Sequence, residues 1–92
     1  MIRLNVSMIV ETSENRDKLV EKATELVEFS LKDKGCIGYD LYKSTTNDDR
    51  YLIMETWASE EDLQAHMASD HFKRLVPELE KYSTLTLEKF DF

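Results

Sequence analysis

The sequence predicts an α+β fold of the ferredoxin-like kind, β-α-β-β-α-β, with two helical segments covering one face of a four-stranded antiparallel sheet. Three observations predict it. Residues 2–11 alternate at a period of two, residues 19–31 repeat apolar side chains at helical spacing, and two β-prone runs flank the turn-forming "TTNDD".

In the first strand Ile2, Leu4, Val6, Met8 and Val10 point one way, while Arg3, Asn5, Ser7, Ile9 and Glu11 point the other. Only one of those sets belongs in a core, so the strand is half-buried. The polar "TSEN" follows, and Thr12 or Ser13 is suited to cap the next helix. That helix gathers Leu19, Val20, Ala23, Leu26, Val27, Ser30 and Leu31 on one face, with Glu21, Lys22, Glu25, Glu28 and Lys32 opposite. Phe29 falls off the apolar stripe and is expected to meet something outside the monomer core. Gly35 is the expected left-handed stop just past the helix end.

Residues 36–44, "CIGYDLYKS", read as the second strand, with Tyr39, Leu41 and Tyr42 favouring extended backbone. Residues 50–58 form the third, so the pair makes a hairpin through "TTNDD". Ser59 begins a capping arrangement with Asp62, and two glutamates occupy the first helical turn. Leu63, His66 and Met67 share a helix face, and Phe72, Leu75, Val76 and Leu79 continue at helical spacing. Pro77 lacks a backbone donor, so the helix is expected to break there and restart. Residues 83–92, "STLTLEKFDF", close the sheet as the fourth strand.

The third strand is unusual. Tyr51, Ile53 and Trp57 face one way, yet Leu52, Met54 and Ala58 face the other. A sheet with one wet face should alternate apolar with polar, so the second face needs a cover. A second copy of the same sheet is the simplest one, which predicts a homodimer.

Ninety-two residues suffice for one domain, residues 1–92, and leave a small core for which a partner subunit would be a natural support. Nineteen acidic against 12 basic residues give a net charge of −7, which argues against nucleic acid or an anionic membrane as main partner. One cysteine rules out an internal disulfide, and no run resembles a signal peptide or a membrane span; the expectation is a soluble cytoplasmic protein. Two glycines leave little room for a phosphate-cradling loop.

Candidate chemistry concentrates in residues 54–72, "METWASEEDLQAHMASDHF", which hold the only Trp and both His. Trp57 on a sheet face is either core or a ring-binding wall, and its indole N–H needs a partner. His66 lies on the apolar helix face, as a satisfied core histidine or a pocket group. Glu55 shares parity with Trp57 and is either a buried base with a raised pKa or an anchor fixing the strand. His71 follows His66 by five residues on what reads as one helix, so the two rings should diverge and no zinc or iron pair is expected. Cys36 reads as packing. Asn5, Tyr39, Tyr42 and Tyr51 are candidate pocket liners, while Met8, Met54 and Met67 fill core gaps or line an adaptable cavity.

Glu55-x-Trp57-x-Ser59, followed by Leu63, His66, Ser69, His71 and Phe72, resembles the antibiotic biosynthesis monooxygenase family, which includes the cofactor-independent quinol monooxygenases. "KGCIGYDLYKS" is similar to that family's glycine-containing second strand, with Gly35, Cys36, Gly38 and Leu41 in matching places. The proline-glycine turn common before the family's first helix is replaced by "TSEN". The resemblance implies a dimeric α+β barrel, a pocket between sheet and helices in each subunit, and no flavin, haem or metal. It implies a small aromatic substrate, a quinol, phenol or polyketide-like ring, that reacts with dioxygen once deprotonated, the protein binding, desolvating and orienting it. By the same resemblance Trp57 and His66 are the catalytic candidates; Asn5, Tyr51, Ile53, Glu55, Met67 and Phe72 are the residues expected to contact substrate. Two other readings stand beside it: a non-catalytic dimeric ligand-binding barrel, and an isomerase of a small phosphorylated carbonyl compound.

Overall fold

The computed structural model describes residues 1–92, in the order β1 (Ile2–Ile9), α1 (Ser13–Ser30), β2 (Cys36–Lys43), β3 (Arg50–Trp57), α2 (Glu60–Met67), α3 (Asp70–Tyr82) and β4 (Thr84–Asp91). All strand pairs are antiparallel and the sheet order is β2-β3-β1-β4, the ferredoxin-like arrangement that the alternating pattern predicts. Expected strand ends overrun by one or two residues: Val10, Glu11, Ser44, Ala58, Ser83 and Phe92 lie outside the ladders. No helix is long and apolar enough to cross a membrane.

The inner face of β1 (Ile2, Leu4, Met8) joins Tyr51, Ile53 and Trp57 of β3 and Leu19, Ala23 and Leu26 of α1 in one buried cluster. Val20 and Leu31, expected on the apolar stripe of α1, are exposed at its margins. Thr12 caps α1, its Oγ1 accepting from the Asn15 N–H at 3.2 Å. Gly35 is left-handed as expected, φ +78°, but it does not stop the helix. Leu31 ends α1 in right-handed geometry, and Gly35 instead turns the chain into β2, where its carbonyl accepts from the Ala58 N–H at 2.8 Å. The Asp62 side chain packs where a β-carbon would stand on Gly35, so the position needs glycine twice over.

Two helical expectations are corrected. The helix is continuous through Pro77, because the Lys73 carbonyl that loses its donor lies with Pro77 on the water-facing side. The break comes earlier, at Ala68–Ser69. There the Ser69 hydroxyl donates to the His66 carbonyl at 2.6 Å and accepts from the Phe72 N–H at 3.3 Å. One side chain thus ends α2 and caps α3, so His66 and His71 belong to different helices.

A second feature positions the site. The β2–β3 register slips between Cys36 and Gly38, so that Cys36 pairs with Trp57 while Tyr39 pairs with Glu55. The bulge brings Tyr39 onto the helix-covered face beside Glu55. On the opposite face Arg3 lies across the sheet, its Nε donating to Thr56 Oγ1 at 2.8 Å. Leu52 and Met54 are half-buried there, while Ile9, Tyr42 and Phe90 are exposed.

Candidate functional site

Between sheet and helices lies a cavity of about 190 Å³ to which all seven elements contribute. Eleven of its twelve lining residues are hydrophobic, so a charge placed there finds little solvation. The exception is Glu55, and the Tyr39 phenol is the other polar group in the wall. Of the residues expected to contact substrate, Ile53, Glu55, Met67 and Phe72 line this cavity. Asn5 does not: it is on the outer face of β1, with its Oδ1 buried and unpartnered. Tyr51 faces the helices but lies at the far end of β3, beside an open hollow shared with Lys43, Ser44 and Arg50.

Trp57 and His66 stand one layer behind the cavity wall. Trp57 is fully buried, and its indole N–H donates to Glu55 Oε1 at 2.9 Å. That contact gives the indole its partner and fixes one oxygen of the carboxylate. His66 packs on Trp57 with ring centroids 4.5 Å apart and the planes tilted by 31°, while the Tyr39 and Phe72 rings meet it edge-on at 5.6 and 5.3 Å. His66 is therefore packed among three aromatic rings, and the packing leads back to the cavity through Tyr39 and Phe72.

Burial governs the protonation of this group. It raises Glu55 from 4.5 to about 7, although the Trp57 N–H and the Tyr39 phenol both oppose the rise by stabilising the carboxylate. Burial, then the Glu55 charge, holds the Tyr39 phenol well above its usual range. The same two causes, with Asp33 third, push the Cys36 thiol up to about 11, so it stays a packing group at neutral pH. Burial lowers His66, against the opposing pull of Asp33.

Asp33, in the α1–β2 turn, was not singled out by sequence, and His71 was set aside on the premise of one helix. The two histidines lie on different helices and converge. Asp33 Oδ2 accepts from His66 Nδ1 at 2.8 Å and from His71 Nε2 at 2.7 Å. Each contact requires a proton on the named nitrogen, which leaves His66 Nε2 a bare lone pair, buried and unpartnered. Phe29, off the apolar stripe as expected, covers the outer side by stacking on His71 at 5.6 Å.

These three residues also form the one His/Asp cluster with metal-ligand composition. Two ligands at about 2.0–2.1 Å from a tetrahedral ion stand roughly 3.3 Å apart, wider than both N···O distances here. The cluster is thus spaced as a proton-bridged His–Asp–His group, and a metal would have to spread it. The signals for it were non-local: Asp33 meets residues 33 and 38 positions away.

Comparison with known proteins agrees with this fold. A model of the antibiotic biosynthesis monooxygenase family matches residues 1–78. A solved structure of a conserved protein of unknown function from Bacteroides thetaiotaomicron VPI-5482, described as a possible oxidoreductase, is 44% identical. It superposes with a TM-score of 0.95 over 99% of this chain and 96% of that one. YcnE of Bacillus subtilis (strain 168), whose name places it provisionally among the monooxygenases, is 27% identical over 63 residues, 68% of this chain and 66% of that relative. SnoaB of Streptomyces nogalater, described as a cofactor-independent oxygenase, shares the fold at a TM-score of 0.87, with 14% identity over 99% of this chain and 92% of that one.

Proposed function

The chain belongs to the antibiotic biosynthesis monooxygenase family, and from that premise we propose that it oxidises a small quinol or phenol with dioxygen, using no bound cofactor. The observation that carries the proposal is Glu55, an acid with a pKa of about 7 in an otherwise apolar cavity. A base of that pKa is half-ionised at neutral pH and matched to removing a hydroxyl proton. The electron-rich anion left in the cavity reduces dioxygen directly, and a carbon–oxygen bond forms. For a hydroquinone the balance closes as quinol plus O₂ giving hydroxyquinone plus water. Low polarity supports the step by withholding the water that would otherwise stabilise the substrate anion.

The lining also bears on the alternatives. It contains no Lys or Arg, so a phosphorylated substrate would meet a carboxylate and no cation, which weighs against an isomerase of phosphorylated carbonyls. The roles first given to Trp57 and His66 shift accordingly: Trp57 orients the base, and His66 backs Trp57. A second copy of the chain covers the outer sheet face in this reading, forming the dimeric barrel.

The test is oxygen uptake with a panel of quinols and anthrones in flavin-free, metal-chelated buffer. Uptake should fall about 10²- to 10⁴-fold in Glu55→Gln, the range of a lost general base. Trp57→Phe should fall less. Tight binding of a ring compound without uptake would make the chain a binding module, and product formed without oxygen would make it an isomerase.

A further inference from the structure

We propose that Asp33 is a positioning residue for Glu55, acting through His66 and Trp57. The inference rests on Glu55 being the base, and it concerns a residue that touches neither cavity nor substrate.

The contacts form an unbroken line. Asp33 Oδ2 holds His66 Nδ1, the His66 ring lies on the Trp57 indole, and Trp57 Nε1 donates to Glu55 Oε1. His66 has no other hydrogen bond on its side chain, because Nε2 is unpartnered. Within its aromatic surroundings the Asp33 contact is therefore the one polar restraint on rotation of the imidazole about its Cβ–Cγ bond. Asp33 is fixed in turn by His71, which Phe29 clamps on its far side. Without Asp33 the imidazole can rotate to seek a partner for its nitrogens. A ring packed with its centroid 4.5 Å from the indole's cannot turn far without disturbing it. A displaced indole lengthens its hydrogen bond to the carboxylate, and a base must be held closely to act.

The direction of the effect separates this role from a direct electrostatic one. Asp33 and Glu55 carry like charges, so deleting Asp33 as a charge alone would lower the Glu55 pKa. Loosening the Trp57 donor would raise it. Other titratable neighbours of Glu55 are Tyr39 and Cys36 from β2. From α1 and α3, Leu26, Phe72, Val76 and Leu79 face the cavity and do not titrate.

The experiment is a carboxyl ¹³C NMR titration of glutamate-labelled protein, with the Glu55 resonance assigned by its loss in Glu55→Gln. Asp33→Ala should move the midpoint up by about one pH unit, the scale of one hydrogen bond to a charged group. In a Trp57→Phe background the same substitution should add nothing, because the intermediary is gone. Asp33→Asn, which keeps one acceptor oxygen, should give a smaller rise and serves if the alanine variant does not fold. At pH 7 a one-unit rise leaves about one-tenth of Glu55 ionised instead of half, so kcat/KM should fall about fivefold. An unchanged or lowered midpoint, or an equal shift with and without Trp57, would overturn the proposal. The titration needs no substrate, so absence of oxygen uptake by the unaltered protein would refute the function alone.

Discussion

Glu55→Gln is expected to stabilise the folded chain at alkaline pH while it removes the proposed base. Glu55 is 4% exposed, and its folded-state pKa of about 7 lies above the 4.5 of the free side chain. The folded state therefore keeps a proton that the unfolded chain has lost, and stability falls as pH rises through this interval. Across the gap from 4.5 to about 7, at about 1.4 kcal/mol per pH unit, the full loss above pH 8 is about 3 kcal/mol. Below pH 4.5 both states are protonated and the term vanishes; at pH 5 it is still under about 1 kcal/mol. Gln cannot ionise, keeps an oxygen for the Trp57 N–H, and is close in volume. Urea unfolding of both proteins at pH 5 and pH 8.5, at one fixed protein concentration, isolates the term. The variant should gain about 2–3 kcal/mol more over the parent at pH 8.5 than at pH 5. An equal difference at the two pH values would refute the reasoning, because Glu55 would not then titrate between them.

Gly35→Ala should destabilise by about 1–3 kcal/mol in thermal or urea unfolding, from the left-handed backbone and the displaced Asp62 carboxylate together. Adding Asp62→Ala should recover only the crowding part. Sedimentation at micromolar concentration should show a dimer, and Met54→Lys, which places a charge on the half-buried outer face, should shift it to monomer; a monomeric parent would refute the covered-face argument.

What the sequence made legible is what depends on near neighbours. The period-two pattern of β1 placed Ile2, Leu4 and Met8 in the core because only one parity can be buried. Thr12 and Ser59 were readable as caps because a cap bonds within three residues. The α2–α3 break was carried by Ser69, also a local cap, but Pro77 was the louder signal. Proline's missing donor matters only where the freed carbonyl is kept from water. The site was less legible because its contacts are distant in sequence. Glu55 and Trp57 were singled out from parity, yet the placement of Tyr39 beside Glu55 depends on the bulge at Cys36–Gly38, which switches the face that following side chains occupy. Asp33 joins two helices from a turn, and no period or cap announces such a contact.

The buried acid and the outer sheet face bear on one another energetically. A chain of 92 residues has a total stability on the order of 5–14 kcal/mol. Holding Glu55 ionised in an apolar cavity removes about 3 kcal/mol of that above its pKa. The inner face offers little compensation: Trp57, Leu63, Leu75 and Leu79 are already withdrawn from water. Apolar surface that can still be buried lies largely elsewhere, including Ile9, Tyr42 and Phe90 on the outer sheet face. Each is already about half covered, so completing its burial contributes about half of the ~1.5–3 kcal/mol of a fully exposed side chain, and the three together on a second copy would offset the loss. Such a dimer would act on the cavity from the far side of the sheet. By offsetting that loss, a second copy would allow a small fold to hold Glu55 charged in its poorly solvated cavity.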